Sequence, residues 1–230
     1  VADHILKGSP SIPLTVRKSR RARRISLRIS QLDGRVTLTL PDGLPESEAL
    51  SFAMSKEDWI RKHLGQMPAR QTVHHGMHLP VEGQMRTLVE GSGRRVLLSN
   101  TELAVPGSKD VLGPRLAGFL KQLARDRLAA ASDRYASALG RPYSRITLRD
   151  TRSRWGSCTS QGNLMFSWRL ILAPPDVLQY VAAHEVAHLA EMNHSPAFWR
   201  AVETLFGPYD VQRRWLRQEG ASLHRYRFAD

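Results

Sequence analysis

The chain has a single cysteine, Cys158, in 230 residues, which excludes an internal disulfide and suits a reducing compartment. It also lacks any apolar run near the roughly 20 residues needed to cross a bilayer. The nearest approach, Leu170 to Val186, is interrupted by Pro174, Pro175, Asp176, His184 and Glu185. Val1 to Ser11 show no charged-then-apolar pattern of a secretory signal. These absences predict a cytoplasmic protein without a membrane partner. Acidic residues are scarce too: 21 Asp plus Glu face 34 Lys plus Arg, a formal net charge of +13. Such a field attracts polyanions. For most individual arginines the plain reading is a solvated face that keeps the chain soluble. The run Arg17 to Arg28 is dense enough to raise a sharper one, a nucleic acid held through a basic N-terminal ribbon, or a nucleotide partner.

What is present is a folding composition: 41% hydrophobic and 24% charged residues, close to the globular norm. The length suits two lobes. Ile25, Leu27 and Ile29 alternate with polar residues, as do Val36, Leu38 and Leu40, and Asp33-Gly34 between them predicts a hairpin. Pro45 to Leu64 reads as one amphipathic helix opened by Pro45, Glu46 and Glu48. Short apolar runs at Thr87–Val89, Val96–Leu98 and Leu103–Val105, separated by turns, predict a small antiparallel sheet. An N-terminal β-rich lobe over residues 1–108 follows. Val111 to Leu139 then reads as a long helix stopped by Gly140 and Pro142, opening a second lobe over residues 109–230. Within it, Ile146–Arg149 and Leu164–Leu172 are expected to form an antiparallel pair of strands.

Pro174-Pro175-Asp176 starts a helix expected to run to Met192, and it contains His184-Glu185-Val186-Ala187-His188. Residues four apart stand on one face of a helix, so both imidazoles can reach one ion, while Glu185 is turned about 100° away. It can then hold a water without ligating the metal, which is the logic of the H-E-x-x-H spacing. Asn193 is suited to a left-handed helix end, and Ser195-Pro196 to a cap and first turn of a new helix. The turn between them can fold His194 back, giving histidines at +4 and +10 from His184. Three neutral imidazoles and a water make an open tetrahedral Zn2+ site. A rival set replaces His194 with Glu203 from the following helix; the plain alternative leaves all three histidines as surface residues.

Arg154-Trp155-Gly156-Ser157-Cys158, Trp168-Arg169-Leu170, Ala173-Pro174, His184-Glu185-x-x-His188-Leu189 and Asn193-His194-Ser195-x-x-Phe198-Trp199 together resemble the YgjP-like family of bacterial zincin metallopeptidases. The basic N-terminal hairpin and Lys56-x-x-Trp59-Ile60 are similar as well, so the resemblance covers nearly the whole chain. It implies an α+β fold with a zincin-like catalytic lobe, a zinc ion, peptidase activity, and kinship with SprT-like proteases that act near DNA. The family's metal ligands carry over onto His184, His188 and His194, and its base onto Glu185. The +10 spacing also resembles metzincins, but their glycine between the second and third histidines is Glu191 here, and no methionine follows Met192.

Of the other residues singled out, Arg154 either clamps a substrate anion or anchors its own turn. Cys158 reads as a buried or half-buried thiol rather than a nucleophile. His74, His75 and His78 read as a loop cluster, and Phe198, Trp199, Leu205 and Phe206 as core. Tyr180, Tyr209 and Arg213 are candidates for stabilising an oxyanion. The expected function is a zinc-dependent metallohydrolase, foremost a metallopeptidase with a zinc-bound water activated by Glu185 acting on a peptide or protein. The alternatives are a zinc-dependent hydrolase of nucleotides or other phosphoanhydrides, and a nucleic-acid-associated protease module.

Overall fold

A computed structural model describes residues 2–30, 34–66 and 70–228. The chain divides into two compact units, Val1–Ala69 and Arg70–Asp230. The boundary therefore falls at 69/70 rather than at 108/109. The reason is that the small sheet preceding the long helix shares one core with it: Leu79, Val81, Leu88, Leu103 and Val105 belong to the same buried cluster as Leu112, Leu116 and Leu120.

The first unit is a sheet with two helices. Its strands are β1 (Ala2–Leu6), β2 (Ile12–Lys18), β3 (Ser26–Ile29) and β4 (Val36–Leu40), in the order β1-β2-β4-β3. β3 and β4 pair antiparallel, as the hairpin reading expects. Gly34 stands at φ +69°, while Asp33 lies outside the described residues. Alternation places Ile12, Leu14 and Val16 inward with Val36, Leu38 and Leu40. The single helix expected over 45–64 is instead α1 (Glu46–Ser55) and α2 (Glu57–Gly65), broken at Lys56, whose φ is −112° and ψ 14°. The Ser55 hydroxyl donates to the Phe52 carbonyl at 2.8 Å, a local bond that competes with the helical ladder at that point. Ala49, Ala53 and Ile60 join the sheet's core.

The second unit opens with β5 (Gln71–Thr72), β6 (His78–Val81), β7 (Gln84–Gly91), β8 (Leu97–Leu98) and β9 (Glu102–Pro106). β6 to β9 form the small sheet expected near 76–106, although the β7–β9 pair is parallel rather than antiparallel. The helix α3 (Lys109–Leu139) follows and ends on Gly140 at φ +70°, a left-handed stop. Leu112, Leu116, Leu120, Ala124, Leu128, Ala131 and Tyr135 line its buried stripe. Then come β10 (Arg145–Arg149), β11 (Gly156–Cys158) and β12 (Asn163–Ser167), in the order β10-β12-β11. β10 and β12 are parallel, not the expected antiparallel pair. The polar connection between them is itself a strand: β11 forms a hairpin with β12 and takes its outer edge, leaving β10 the other. Residues 168–172, expected as strand, are a tight helical turn with every residue buried.

The last part holds α4 (Pro175–Ala187), α5 (Pro196–Phe206), α6 (Asp210–Gln218) and β13 (Tyr226–Arg227), the last pairing parallel with β5. Nine of the 13 residues of α4 are buried, so it is a core helix and not a surface one. The class is α+β, and the helix that carries His184 and ends at His188 lies beside the edge strand β11 of a small sheet. No helix among the described residues is long and apolar enough to cross a membrane.

Gly113 shows how tightly α3 seats the C-terminal segment: a Cβ there would lie 2.1 Å from the Phe228 carbonyl oxygen, whereas one on Gly118 would meet nothing within 4 Å. Gly113→Ala should therefore destabilise the fold by about 1–3 kcal/mol, and Gly118→Ala should stabilise it by up to about 1 kcal/mol through helix propensity. Thermal melting of the two variants checks this. Equal shifts would reject the close approach.

Candidate metal centre

His184 lies in the last turn of α4, His188 caps its C-terminal end four residues on, and His194 arrives from the turn beyond. That turn is built differently from the sequence expectation. α4 stops at Ala187 rather than Met192, because Leu189 and Ala190 tighten it with amide bonds to Val186 and Ala187 at 2.9 and 3.0 Å. Nor does Asn193 take a left-handed conformation. Its side-chain oxygen instead accepts the Ser195 amide at 3.2 Å, an Asx turn. Ser195 caps α5 as expected: its hydroxyl accepts the Phe198 amide at 3.3 Å, with Pro196 in the first turn.

The result brings one ring nitrogen from each of His184, His188 and His194 within 4.8 Å of one another. His184 Nε2 and His194 Nε2 are 3.2 Å apart. Two imidazole nitrogens at that distance can share at most one proton, whereas a cation satisfies both lone pairs. His188 is already set for ligation, since its Nδ1 donates to the Glu191 carbonyl at 2.9 Å and leaves Nε2 unprotonated. His184 Nδ1 is buried without a hydrogen-bond partner. Burial, reinforced by His188, His194 and Arg213, pushes His184 down to about 3, and burial holds His188 below its usual value. Neutral imidazole is the ligand form, so the residues fit a single divalent metal ion. Glu203 is exposed and not part of the group.

Phe198 forms the floor of the cluster. Its ring centroid lies 4.9, 4.4 and 4.8 Å from those of His184, His188 and His194. Trp199 stacks on His194 at 5.6 Å. Phe198 is a core residue, as expected, while Trp199 is half-buried against the same core, and both pack against the imidazoles. The sequence signal was available: Phe198 is three residues after the Ser195 cap, on the first turn that faces back toward α4.

Glu185 is 6% exposed. Burial pushes its carboxyl up to about 8, against the pull of Arg154. Sequence reasoning missed what stands over it. A Cβ on Gly156 would lie 2.5 Å from both Glu185 Cγ and Oε1, so the edge strand β11 is bare of side chain where the carboxylate rests. Arg154, Gly156, Ser157, Cys158, Glu185, Met192 and the three histidines enclose a cavity of about 240 Å³. Cys158 is half-buried, and burial together with the Glu185 charge pushes its thiol up to about 11, which removes it as a nucleophile near neutral pH.

The remaining candidates fall elsewhere. Tyr209 stacks between Tyr180 and Trp199 at 5.7 and 5.2 Å, and Arg213 lies over the Trp199 ring at 4.7 Å. None of Tyr180, Tyr209 and Arg213 is among the residues lining the cavity. His74 bonds to the His75 carbonyl and His78 to Thr87, and the three do not converge. In the first unit Arg17 bonds to Thr39 and Arg20 pairs with Asp42, while Arg21, Arg23, Arg24 and Arg28 are exposed.

A family model described as "YgjP-like, metallopeptidase domain" matches residues 23–219. No curated protein matches. Among solved structures, the chain is similar to the metallopeptidase zymogen of Pyrococcus abyssi abylysin, at 20% identity over 40% of this chain and 92% of that one, with a TM-score of 0.36. That likeness is too slight to bear on the argument.

Two outcomes follow from the position of Glu185. Gly156→Ala should push the carboxylate aside and lower turnover by about 100-fold, with metal content unchanged; full activity would show that the strand does not position it. The raised carboxyl also has a signature in the metal-free protein. A folded value of about 8 against an ordinary 4.5 means that stability is fully present below about pH 4.5 and is lost as pH rises through about 8. Metal-free Glu185→Gln should melt above metal-free wild type at pH 8.5 and no higher than it at pH 4. Identical differences at both pH values would contradict the raised carboxyl.

Proposed function

We propose that this chain, which belongs to the YgjP-like metallopeptidase family, is a zinc-dependent endo- or exopeptidase with His184, His188 and His194 as ligands and Glu185 as general base. The observation that carries the reading is the juxtaposition of three imidazole nitrogens within 4.8 Å with a buried carboxylate on the helix residue next to His184. Zinc suits three nitrogen donors with an open fourth position. When bound, it supplies Lewis acidity that acidifies a water and polarises a carbonyl.

The chain's own residues do the rest. Glu185, one residue past His184, lies against the bare backbone of Gly156 on the cavity wall. From there it accepts the proton of the attacking water and later returns it to the leaving amine. Phe198 and Trp199 hold the imidazoles in place, and the Glu191 carbonyl fixes the tautomer of His188. A phosphoanhydride hydrolase would need several cations at the reacting group. Of Arg154 and Arg213, the arginines expected for that task, only Arg154 lines the cavity. The geometry thus favours peptide over nucleotide.

Purified protein should contain about one zinc per chain, and each of His184→Ala, His188→Ala and His194→Ala should lose it or bind it far more weakly. Glu185→Gln should keep zinc and fold but lose at least about 100-fold in peptide hydrolysis. Metal analysis and cleavage of casein and quenched peptides decide both points. Near-normal turnover by Glu185→Gln would remove the base assignment, and zinc retained in His194→Ala but lost in Glu203→Ala would replace the third ligand.

A further inference from the structure

The metal-site cavity does not end at the histidines. A second cavity of about 340 Å³ shares His188 and Met192 with it and runs over the 159–162 turn to Arg141. A third, of about 510 Å³, shares Arg141 and Pro142 with the second and ends on Asp133 and Tyr143. Through these shared residues each cavity adjoins the next within the second unit, and together they make up a trough that offers more room than a compact small molecule would need. We propose that this trough seats a peptide and that its middle section is a subsite for an acidic residue, with Arg141 as the recognising cation. The proposal rests on the peptidase reading and adds a substrate preference to it.

The chemistry of the middle section supports this. Arg141 is exposed, and its side chain donates from Nη1 to the Leu189 carbonyl at 3.3 Å. It has no carboxylate partner among the described residues, and it lines both the second and the third cavity. The Leu189 bond orients the guanidinium without neutralising it. A carboxylate can meet such a fork in bidentate fashion, which a lysine or an amide cannot reproduce. Leu189 and Met192, the latter 53% exposed, give the same section an apolar wall for the methylenes of a glutamate. The far end of the outer section, away from Arg141, carries a carboxylate. Asp133, which accepts the Tyr143 hydroxyl at 2.5 Å, repels an acid there. An acidic side chain is therefore favoured at Arg141 and disfavoured one section further out.

A purely structural Arg141, bracing the end of α3 against the turn after α4, would be indifferent to substrate charge. The test uses full-length zinc-loaded Glu185→Gln, which binds without turning over. Two fluorescein-labelled decapeptides, identical but for a central Glu-Glu or Gln-Gln pair, are titrated by fluorescence anisotropy. The Glu-Glu peptide should bind about tenfold tighter. Arg141→Gln should abolish that preference, Arg141→Lys should reduce it, and Arg145→Gln, an exposed strand arginine outside the trough, should leave it intact. Equal affinities, a preference that survives Arg141→Gln, or no binding of either peptide overturns the subsite. So does ATP binding that is tighter than either peptide and is lost in Arg141→Gln, which would make it a phosphate site. Cleavage of both peptides by the wild-type chain without acid preference sinks the subsite alone, whereas no cleavage of any peptide sinks the peptidase reading itself.

Discussion

The burial of Glu185 is the constraint from which the rest of the second unit follows. A carboxylate taken out of water is costly unless a charge or hydrogen bonds compensate. Here the groups around it are a half-buried thiol, a glycine backbone and the imidazoles of His184 and His188, whose charged forms burial disfavours, and the pull of Arg154 does not offset the burial. Without a cation the carboxyl retains its proton well above the ordinary range. A divalent ion held by the histidines would change the balance for all four groups at once: it would take up imidazole lone pairs and favour the ionised carboxylate beside them. Holding these groups in a dry position requires a helix that is itself interior. The sequence of α4 supplies one: nine of its residues are buried, Glu185 among them, and its polar side chains Asp176 and Gln179 bond to Gln212 and Arg134.

Everything that touches α4 can be understood as holding that face in register. The tight turn at residues 168–172 is anchored by Arg169, 8% exposed, whose guanidinium binds both oxygens of Asp150 at 2.6 and 3.0 Å. Its Nη1 also donates to the Leu223 and Tyr226 carbonyls. One side chain thus ties the end of the β10–β12 sheet to the C-terminal segment. On the opposite side of the site, the Ser195 cap and the Asx turn at Asn193 fix where His194 re-enters. The precision of the histidine cluster is set by these short polar bonds at the ends of elements, while the apolar core sets only the rough placement of the elements.

The clustering of the candidate residues was legible in the sequence because it is local. His184, Glu185, His188 and His194 lie within 11 residues, and helix periodicity with one capped turn is enough to bring them together. The sheet was less legible because strand pairing depends on distant partners. The 150–162 segment looks like a polar loop, and only the register of Gly156 to Cys158 against Leu164 to Phe166 makes it an edge strand. That same pairing sets Gly156 over Glu185, so the glycine's role was hidden with it. The unit boundary was obscured for a related reason. Strands β6 to β9 have a small-sheet pattern of their own, but they complete their core only with α3.

Arginine use explains why net charge is a poor guide to partners in this chain. In the second unit guanidinium groups serve repeatedly as clamps on backbone carbonyls. Arg86, 5% exposed, donates to Val81, Ser99 and Gln84, Arg115 donates to Pro106, and Arg169 donates to Leu223 and Tyr226. A planar fork with several donors suits irregular chain segments whose carbonyls would otherwise be unsatisfied, and it brings a positive charge whether or not an anion is bound. Part of the +13 excess is therefore architectural. The informative arginines are those that line a cavity, and by that criterion Arg141 and Arg154 carry more functional weight than the denser run at Arg17 to Arg28.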